Sequence, residues 1–194
     1  MTQQSILVTD AAVAGHSVWV RRTVAVFAFA ALTAFGARLS VPLPGTPVPF
    51  TLQPVAVLLS GLLLGGVLGA TSQLTYLAIG AAGLPVFALG GGLPYLAGPT
   101  GGYLLAFPLA AGIVGAIASD KPGLFRILIA ALAGLFVVHV SGAAWLSLQP
   151  WFSGGSVAAF EISFVPFLIG DLLKVALVAV VALGLGRRVR RILG

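Results

Sequence analysis

Apolar residues run through the chain in long stretches, separated by short segments rich in charge, proline or glycine. Four stretches are long enough for one membrane-spanning helix each, because about 20 apolar residues cross the hydrocarbon core of a bilayer. They are residues 23–40, 100–119, 124–148 and 162–186. Residues 51–80 form a fifth stretch, which as one helix would be about 45 Å long and would exceed a core of roughly 30 Å. We expect the pair Gly65-Gly66 to divide it into two short helices, which makes six spans.

The segments between these stretches differ in composition. Residues 41–50 (VPLPGTPVPF) are rich in proline, which fixes φ and lacks an N–H, so we expect an extended loop. Residues 81–99 combine glycine and proline with apolar side chains. Irregular backbone cannot face lipid, so this segment is expected to pack inside the bundle or line a cavity. We further expect a polar N-terminal tail over residues 1–18, a six-helix membrane domain over 19–188 and a basic C-terminal tail over 189–194.

Basic residues flank the apolar stretches. Most of them fall in three clusters: Arg21 and Arg22; Lys121 and Arg126; and Arg187, Arg188, Arg190 and Arg191. With six spans and a cytoplasmic amino terminus, all three clusters lie on the cytoplasmic side, as the positive-inside rule requires. A single span over residues 51–80 would separate the first cluster from the other two. The sequence therefore predicts an all-α membrane protein, with six transmembrane helices in a compact bundle and both termini cytoplasmic.

The composition excludes several classes of function. The chain is 59% hydrophobic and 7% charged, with a mean hydropathy of +1.14, which exceeds what a soluble domain can bury. It has no cysteine, so disulfides and thiolate metal sites are excluded, and we expect neither a metal nor a cofactor. Basic clusters that flank apolar segments do not form the contiguous face that nucleic acid needs. Without a GxxxxGK[ST] or GxSxG motif, and with one intramembrane aspartate, we expect no enzymatic activity.

Asp171 and Lys174 are the candidate site with the most chemical content. They lie inside the apolar stretch 162–186, where each charge costs about 2.5–3.5 kcal/mol even on the lenient insertion scale. Three residues apart on a helix, they share a face and can neutralise each other as a structural pair. They can equally bind a ligand, because a carboxylate accepts N–H donors and an ammonium donates to a carbonyl. Together they match the edge of a cyclic urea or amide.

A second group of candidates follows the glycine-rich segment. Gly91 and Gly92 can offer backbone N–H groups to a ligand, or they can form a tight packing turn. Thr100 is placed to cap the helix that follows it, and the N-terminus of that helix favours an anion. Tyr103 can contact a ligand, although an interfacial aromatic belt is the more common role.

Three further polar residues lie within or beside apolar stretches. Gln53 precedes a proline at a helix start and is either a local cap or a ligand contact. Arg38 can extend to the membrane surface or hold a substrate carboxylate by a charge-assisted pair. For His139, in the middle of a span, a polar contact between helices is favoured over a ligand role.

Four segments together resemble one protein family. They are PVPFTLQ (47–53), YLAIGAAGLPVFA (76–88), GPTGGYLLAFP (98–108) and GDLLK (170–174). These segments are similar to the BioY family, the substrate-capture (S) components of energy-coupling-factor (ECF) biotin transporters. The resemblance extends over residues 20–186, nearly the whole chain.

This resemblance implies a six-helix fold in the bacterial plasma membrane that binds biotin near the outer surface. It implies partners too: a transmembrane coupling (T) subunit and two ATPase subunits, with Ala30 and Ala34 as the small-residue face that docks them. The ureido ring of biotin would suit Asp171 and Lys174, and its apolar part would suit Phe87. Some family members carry a basic or amide side chain in the loop that here reads ALGGGLPYL (88–96), and this chain has none. The biotin carboxylate is therefore left to backbone N–H groups, Thr100 or Arg38.

Two other functions stay open from the residues themselves. The same fold could capture another vitamin or a related heterocycle. The chain could also be a membrane scaffold in which the Asp171–Lys174 pair holds helices together.

Overall fold

The computed structural model of the chain describes residues 3–118 and 122–193, and these residues form a helical bundle. The helices are α1 Gln3–Arg38, α2 Gln53–Leu64, α3 Gly66–Ala81, α4 Leu93–Leu96, α5 Gly101–Ala118, α6 Leu124–Ser147, α7 Gly155–Phe164 and α8 Leu168–Leu193. A 3-10 turn, Val165–Phe167, joins α7 to α8, and two short strands, β1 Ser40–Val41 and β2 Phe50–Thr51, pair antiparallel. Lys121, which the sequence groups with the basic clusters, lies outside the described residues.

Four segments of the described residues are long and apolar enough to cross a membrane: Val18–Arg38, Gly101–Ala118, Leu124–Ser147 and Gly155–Leu193. Three of them match predicted spans closely. Helices α2 and α3 have 12 and 16 residues and fall below that length. The structure therefore supports a multi-pass membrane protein, whereas the predicted number of six spans depends on whether these two short helices cross the membrane.

The predicted division of residues 51–80 is present. Gly65 adopts φ +84°, a conformation that favours glycine, and it separates α2 from α3. The two helices then pack closely, because a Cβ atom on Gly69 would lie 2.9 Å from the backbone of Gly61. Small residues at this contact allow the backbones of adjacent helices to approach.

The start of the last span differs from the prediction. Residues 162–164 belong to α7, and α8 begins only at Leu168. The cause is Pro166, which has no N–H to continue an α-helix, so the chain passes through a 3-10 turn. Asp171 consequently lies in the first turn of α8, not several turns deep in an unbroken helix. The helices also extend into both expected tails, because α1 begins at Gln3 and α8 ends at Leu193.

The two proline- and glycine-rich segments fold back onto one end of the bundle. The ribbon of β1 and β2, in register Ser40↔Thr51, returns the first segment so that Phe50 packs on Gly170 of α8. The second segment returns to the end of α3, where the N–H of Gly92 donates to the carbonyl of Gly80 over 2.7 Å. These two loops and the ends of α5, α6 and α8 surround the cavity described next.

Candidate functional site

A cavity of about 50 Å³ lies beneath the two loops. Its wall combines a few polar groups with many apolar ones, which is typical of small-molecule sites. The lining residues are Val48, Pro49, Thr51, Gln53, Pro54, Ala88, Tyr95, Thr100, Tyr103, Leu104, Phe107, Val138, His139, Phe167 and Lys174. They come from both loops and from α2, α5, α6 and α8, so only the folded bundle brings them together.

Three charged or polar side chains from α6 and α8 form one cluster at this site. Asp171 accepts a hydrogen bond from Lys174 Nζ at Oδ1 over 2.9 Å, and its Oδ2 lies 2.5 Å from His139 Nε2. All three side chains are largely buried: the exposed fraction is 4% for Lys174, 9% for His139 and 13% for Asp171. Lys174 and His139 line the cavity, and Asp171 contacts both of them without being one of the lining residues. The predicted intrahelical pair is therefore present, and it has a third member from α6.

An aromatic frame holds the buried ammonium. Lys174 Nζ lies 3.9 Å from the centroid of the Phe50 ring, at cation–π distance. Phe50 stacks on Phe167 with centroids 6.5 Å apart, and it packs directly on Gly170, where a Cβ atom would overlap its ring. The absence of a side chain at Gly170 thus gives Phe50 its place, and Phe50 in turn covers Lys174.

Gln53 lines the cavity and is held by two neighbours. Its Nε2 donates to the hydroxyl of Tyr76 over 2.6 Å, and its Oε1 accepts from Thr51 Oγ1 over 3.2 Å. The Tyr76 hydroxyl donates onward to the carbonyl of Val86 over 3.2 Å. The local-cap interpretation of Gln53 is wrong, because its side chain makes no capping bond at the start of α2. Its position in the cavity wall favours the ligand-contact interpretation.

Thr100 and Tyr103 both line the cavity at the start of α5. Trp145 of α6 positions this segment, since its Nε1 donates to the carbonyl of Gly98 over 2.9 Å. The Tyr103 ring packs on Gly142, where a Cβ atom would overlap it. Tyr103 is 6% exposed, so the aromatic-belt interpretation is wrong for this residue: a belt side chain faces the lipid headgroups.

The structure does not bring the other predicted loop residues to the cavity. Gly92 has φ +91° and uses its N–H within the protein, and a Cβ atom on Gly91 would overlap the carbonyl of Leu84. Both glycines therefore fit the packing-turn interpretation. Phe87 is fully buried against Gly80 and stacks on Tyr95, which forms the wall in its place.

Arg38 is exposed and lies outside the cavity lining. Its Nη2 donates to the carbonyl of Pro85, so it ties the end of α1 to the second loop. This contact matches neither predicted role of Arg38, which were extension to the membrane surface and binding of a substrate carboxylate.

The small-residue face expected to dock a partner points inward. Ala30 is 3% exposed and belongs to a buried apolar cluster, and Ala34 is half-buried against the same cluster. Here α1 uses this face to pack on the rest of the bundle, which does not favour the docking role, and that role stays a prediction. The small residues on the exposed side of α1 include Ala28 and Ala31.

The polar contact between helices that the sequence favoured for His139 is confirmed, because its imidazole on α6 contacts Asp171 of α8. Spacing along the chain relates Asp171 to Lys174, which share a helix, but not to a histidine 32 positions away. An ionisable group in mid-span was the available signal. The contact it makes with α8 is indeed between helices, yet the same side chain also lines the cavity.

Comparisons with known proteins agree with one another over most of the chain. The profile of the BioY family matches residues 3–191. The "Probable biotin transporter BioY" of Pyrococcus horikoshii is 42% identical over 155 residues, which cover 79% of this chain and 89% of the relative. The "Biotin transporter BioY" of Thermotoga maritima is 41% identical over 158 residues, covering 81% and 90%. A solved structure, described as the S-component for biotin from an ECF-type ABC transporter, matches with a TM-score of 0.78 and 27% identity, covering 98% of this chain and 95% of that one. This chain belongs to the BioY family.

Proposed function

We propose that this chain is a biotin-binding S component, a membrane protein that captures biotin and delivers it inward with an ECF energy-coupling module. Family membership supports the proposal, as do the relatives described as biotin transporters and the solved S-component for biotin. Members of this family are transport proteins and not enzymes.

The observation that carries the proposal is the combination of groups around the cavity. Biotin joins a cyclic urea to a thioether ring and an aliphatic acid chain. Lys174, His139 and Asp171 form one polar region that can match the N–H and C=O groups of the urea. Phe107, Phe167 and other apolar side chains form the rest of the wall, which suits the thioether ring and the chain.

The biotin carboxylate needs a polar partner of its own in the cavity. Thr100 lines the cavity at the start of α5, where its hydroxyl and the helix N-terminus favour an anion. Arg38 donates to Pro85 outside the lining, so we assign the carboxylate to Thr100.

We also propose that α2 and α3 each cross the membrane, giving six spans with both termini cytoplasmic in a bacterial plasma membrane. At 12 and 16 residues, they are about 18 and 24 Å long, short for a core of roughly 30 Å, so the bilayer would thin or the loops would complete the crossing. The distribution of basic residues supports this sidedness.

Because the chain has no cysteine, single introduced cysteines can test the six-span arrangement. Gly123 and Ser153 are exposed on the two loops that flank α6, which should lie on opposite sides. A membrane-impermeant thiol reagent applied to intact cells should label Ser153→Cys and leave Gly123→Cys unlabelled until the cells are opened. The reverse pattern, or labelling of both, would contradict the proposed sidedness.

The partners follow from the ECF context and are part of the proposal: a transmembrane T subunit and two ATPase subunits. Biotin uptake in cells that lack another biotin importer should require this chain together with such a module. Purification through a tag on this chain should recover the T and ATPase subunits. Full ATP-dependent uptake without any module would contradict the assignment of partners.

Biotin binding by the purified chain is the direct test. The protein in detergent should retain labelled biotin through gel filtration, and biotin should raise its unfolding temperature as ligand concentration increases. Asp171→Asn should weaken binding by about 1–3 kcal/mol, because it removes the charge that holds both Lys174 and His139. Arg188→Gln, an exposed residue at the far end of α8, is the control and should bind normally.

The same measurements separate the alternatives. If another heterocyclic vitamin raises the unfolding temperature and biotin does not, the ligand assignment is wrong. If no small molecule binds at micromolar concentration, the scaffold interpretation replaces the transport function.

A further inference from the structure

A groove on the outside of the bundle lies between the start of the span in α1 and the end of α8. Its volume is about 280 Å³, and it shares no residue with the cavity described above. The lining residues are Val20, Arg21, Val24, Ala25, Val189, Ile192 and Leu193. All except the arginine are apolar, so water in the groove would find few hydrogen-bond partners. An apolar occupant therefore fits this groove, and the surrounding bilayer supplies acyl chains.

Each of the two helices places a guanidinium group beside the apolar wall of the groove. Arg21 precedes Val24 by three residues and Ala25 by four, so these three share one face of α1. On α8, Arg188 precedes the lining residue Ile192 by four. Both arginines are exposed. Charge beside an apolar channel matches a molecule that joins a charged headgroup to an apolar chain.

A contact between α1 and α8 brings further arginines to the same level. Nε of Arg22 donates to the carbonyl of Leu193 over 3.4 Å. The last carbonyls of a helix carry a partial negative charge, so a guanidinium group is favourable there. Because Arg21 is the next residue along α1, it lies near the end of α8. The exposed arginines in the last two turns of α8 are Arg187, Arg188 and Arg191.

The sign and the type of these charges select the headgroup. Residues 18–30 and 180–194 contain six arginines, no lysine and no acidic residue. A guanidinium group can bind a phosphate through two parallel N–H bonds, whereas an ammonium acts as a point charge. We propose that this groove binds an anionic diacyl phospholipid, with an acyl chain along the apolar wall and the phosphate at Arg21 and the arginines of α8. By the proposed sidedness this lipid belongs to the cytoplasmic leaflet, where basic pockets between helices bind anionic headgroups.

The length of the groove favours a lipid over a partner helix. On α1 the lining extends from Val20 to Ala25, which is about 8 Å of helix. A membrane-spanning helix of another subunit would need a contact surface along much of a core of roughly 30 Å. The groove is long enough only for the part of an acyl chain that lies next to the headgroup.

Native mass spectrometry of the full-length purified chain tests the charge preference, with phosphatidylglycerol as the probe. Phosphatidylcholine with the same acyl chains is the zwitterionic comparison. The wild type should bind phosphatidylglycerol about fivefold or more tightly, because one arginine near the membrane surface contributes about that factor. Arg21→Gln should lower the affinity for phosphatidylglycerol about fivefold and change that for phosphatidylcholine less than twofold. Arg126→Gln removes an exposed arginine of α6 outside the groove and is the matched control.

A second pair of variants tests the apolar wall. Ala25→Leu should fill the groove and weaken the binding of both lipids about fivefold or more. Ala28→Leu changes an exposed residue of the same helix outside the lining and should bind both lipids as the wild type does.

Three results would overturn the proposal. One is equal binding of the two lipids by the wild type. Another is an equal loss in Arg21→Gln and Arg126→Gln, which would mean that the lipid responds only to total charge. The third is normal lipid binding by Ala25→Leu. If that variant also lost the T and ATPase subunits, or a second copy of this chain, the groove would belong to that protein partner.

A measurement without any substitution decides the question even if a variant fails to fold. Phosphatidylglycerol with a photoactivatable group in its acyl chain, in vesicles that contain the wild type, should label residues 20–25 and 189–193. Phosphatidylcholine with the same group should label them more weakly, and equal labelling would overturn the proposal. Retention of biotin is measured separately, so a failure of the proposed function cannot be mistaken for a failure of the lipid site.

Discussion

Two buried polar clusters in this bundle have opposite properties. The Gln73 cluster, made of Thr33, Ser60, Ser72 and Gln73, joins α1, α2 and α3, and all four residues are fully buried. The Asp171 cluster, made of His139, Asp171 and Lys174, joins α6 to α8. Both place polar groups inside an apolar bundle, so polarity in itself does not separate structure from function.

The hydrogen bonds of the Gln73 cluster form a closed set. The amide of Gln73 donates to Ser60 Oγ over 3.3 Å and to Ser72 Oγ over 3.1 Å, and its oxygen lies 3.1 Å from Thr33 Oγ1. The two serines donate to carbonyls of their own helices. No charge is present and none of these residues lines the cavity. Such a neutral, fully paired network fixes helix positions.

The Asp171 cluster, unlike the Gln73 cluster, has hydrogen-bonding capacity that the described residues do not use. It carries two charges, its members Lys174 and His139 line a cavity, and Nδ1 of His139 has no hydrogen-bond partner in the described part of the chain. Unused hydrogen-bonding capacity beside a cavity, more than burial or charge, distinguishes a binding site from a structural contact.

The largest expected effect comes from removing both charges of the Asp171 cluster. Asp171→Leu combined with Lys174→Met should abolish biotin binding while leaving a folded protein, because replacing a buried ion pair with apolar groups is often neutral or stabilising. Lys174→Met alone should lower stability by about 3–5 kcal/mol, since it leaves a buried carboxylate with one partner fewer. Thermal unfolding in detergent and retention of labelled biotin measure the two effects. An unfolded double variant would give the pair a structural role.

A comparable polar-to-apolar change in the Gln73 cluster should lower stability and leave biotin binding unchanged. Gln73→Leu leaves hydroxyls of three helices without their shared partner, which should lower stability by about 1–3 kcal/mol. Biotin affinity should stay within about twofold, since the two clusters share no residue. Thr75→Val, which removes an exposed hydroxyl bonded only to the carbonyl of Thr71, is the matched control. Loss of binding in Gln73→Leu at retained stability would erase the distinction between the clusters.

A smaller effect should follow from disturbing the aromatic cover of Lys174. Gly170→Ala places a methyl group against Phe50, which must move away from the ammonium. We expect biotin affinity to fall about three- to tenfold, the range of one cation–π contact. Gly184→Ala on the same helix is the control, because no atom lies within 4 Å of its added Cβ. Equal affinities of the two variants in equilibrium binding would show that Phe50 does not position Lys174.

Hydrophobic pattern and charge placement predicted most of the helices, including the division at Gly65, because burial and backbone constraints act locally along the sequence. The start of α8 was missed because a single proline outweighed an otherwise apolar stretch. Pairing along one helix was also accessible, since Asp171 and Lys174 follow the helical period.

Relations between distant elements could not be predicted in this way. The bond from His139 to Asp171 depends on how α6 turns relative to α8, which neither segment encodes alone. The packing of Ala30 and Ala34 could not be predicted either. Their small size permits close packing, but it does not tell whether that face of α1 packs inside the bundle or against a partner. The role of a glycine was equally hard to predict from the sequence. Gly91 and Gly92 form a turn, whereas Gly142 and Gly170 leave space for the rings of Tyr103 and Phe50.

The residue proposed to hold the biotin carboxylate gives the smallest expected effect, and it extends the comparison from whole clusters to single side chains. Thr100→Val should weaken binding of biotin by about 0.5–1.5 kcal/mol and leave the affinity for biotin methyl ester unchanged, because only the free acid uses the hydroxyl. Arg38→Met should bind both ligands as the wild type does, since its guanidinium already bonds Pro85 outside the cavity. Competition binding with the two ligands measures both variants. If Arg38→Met loses affinity for the acid alone, its side chain must leave Pro85 when ligand binds. A polar residue that does not line the cavity in this structure, such as Arg38, could then still bind the ligand.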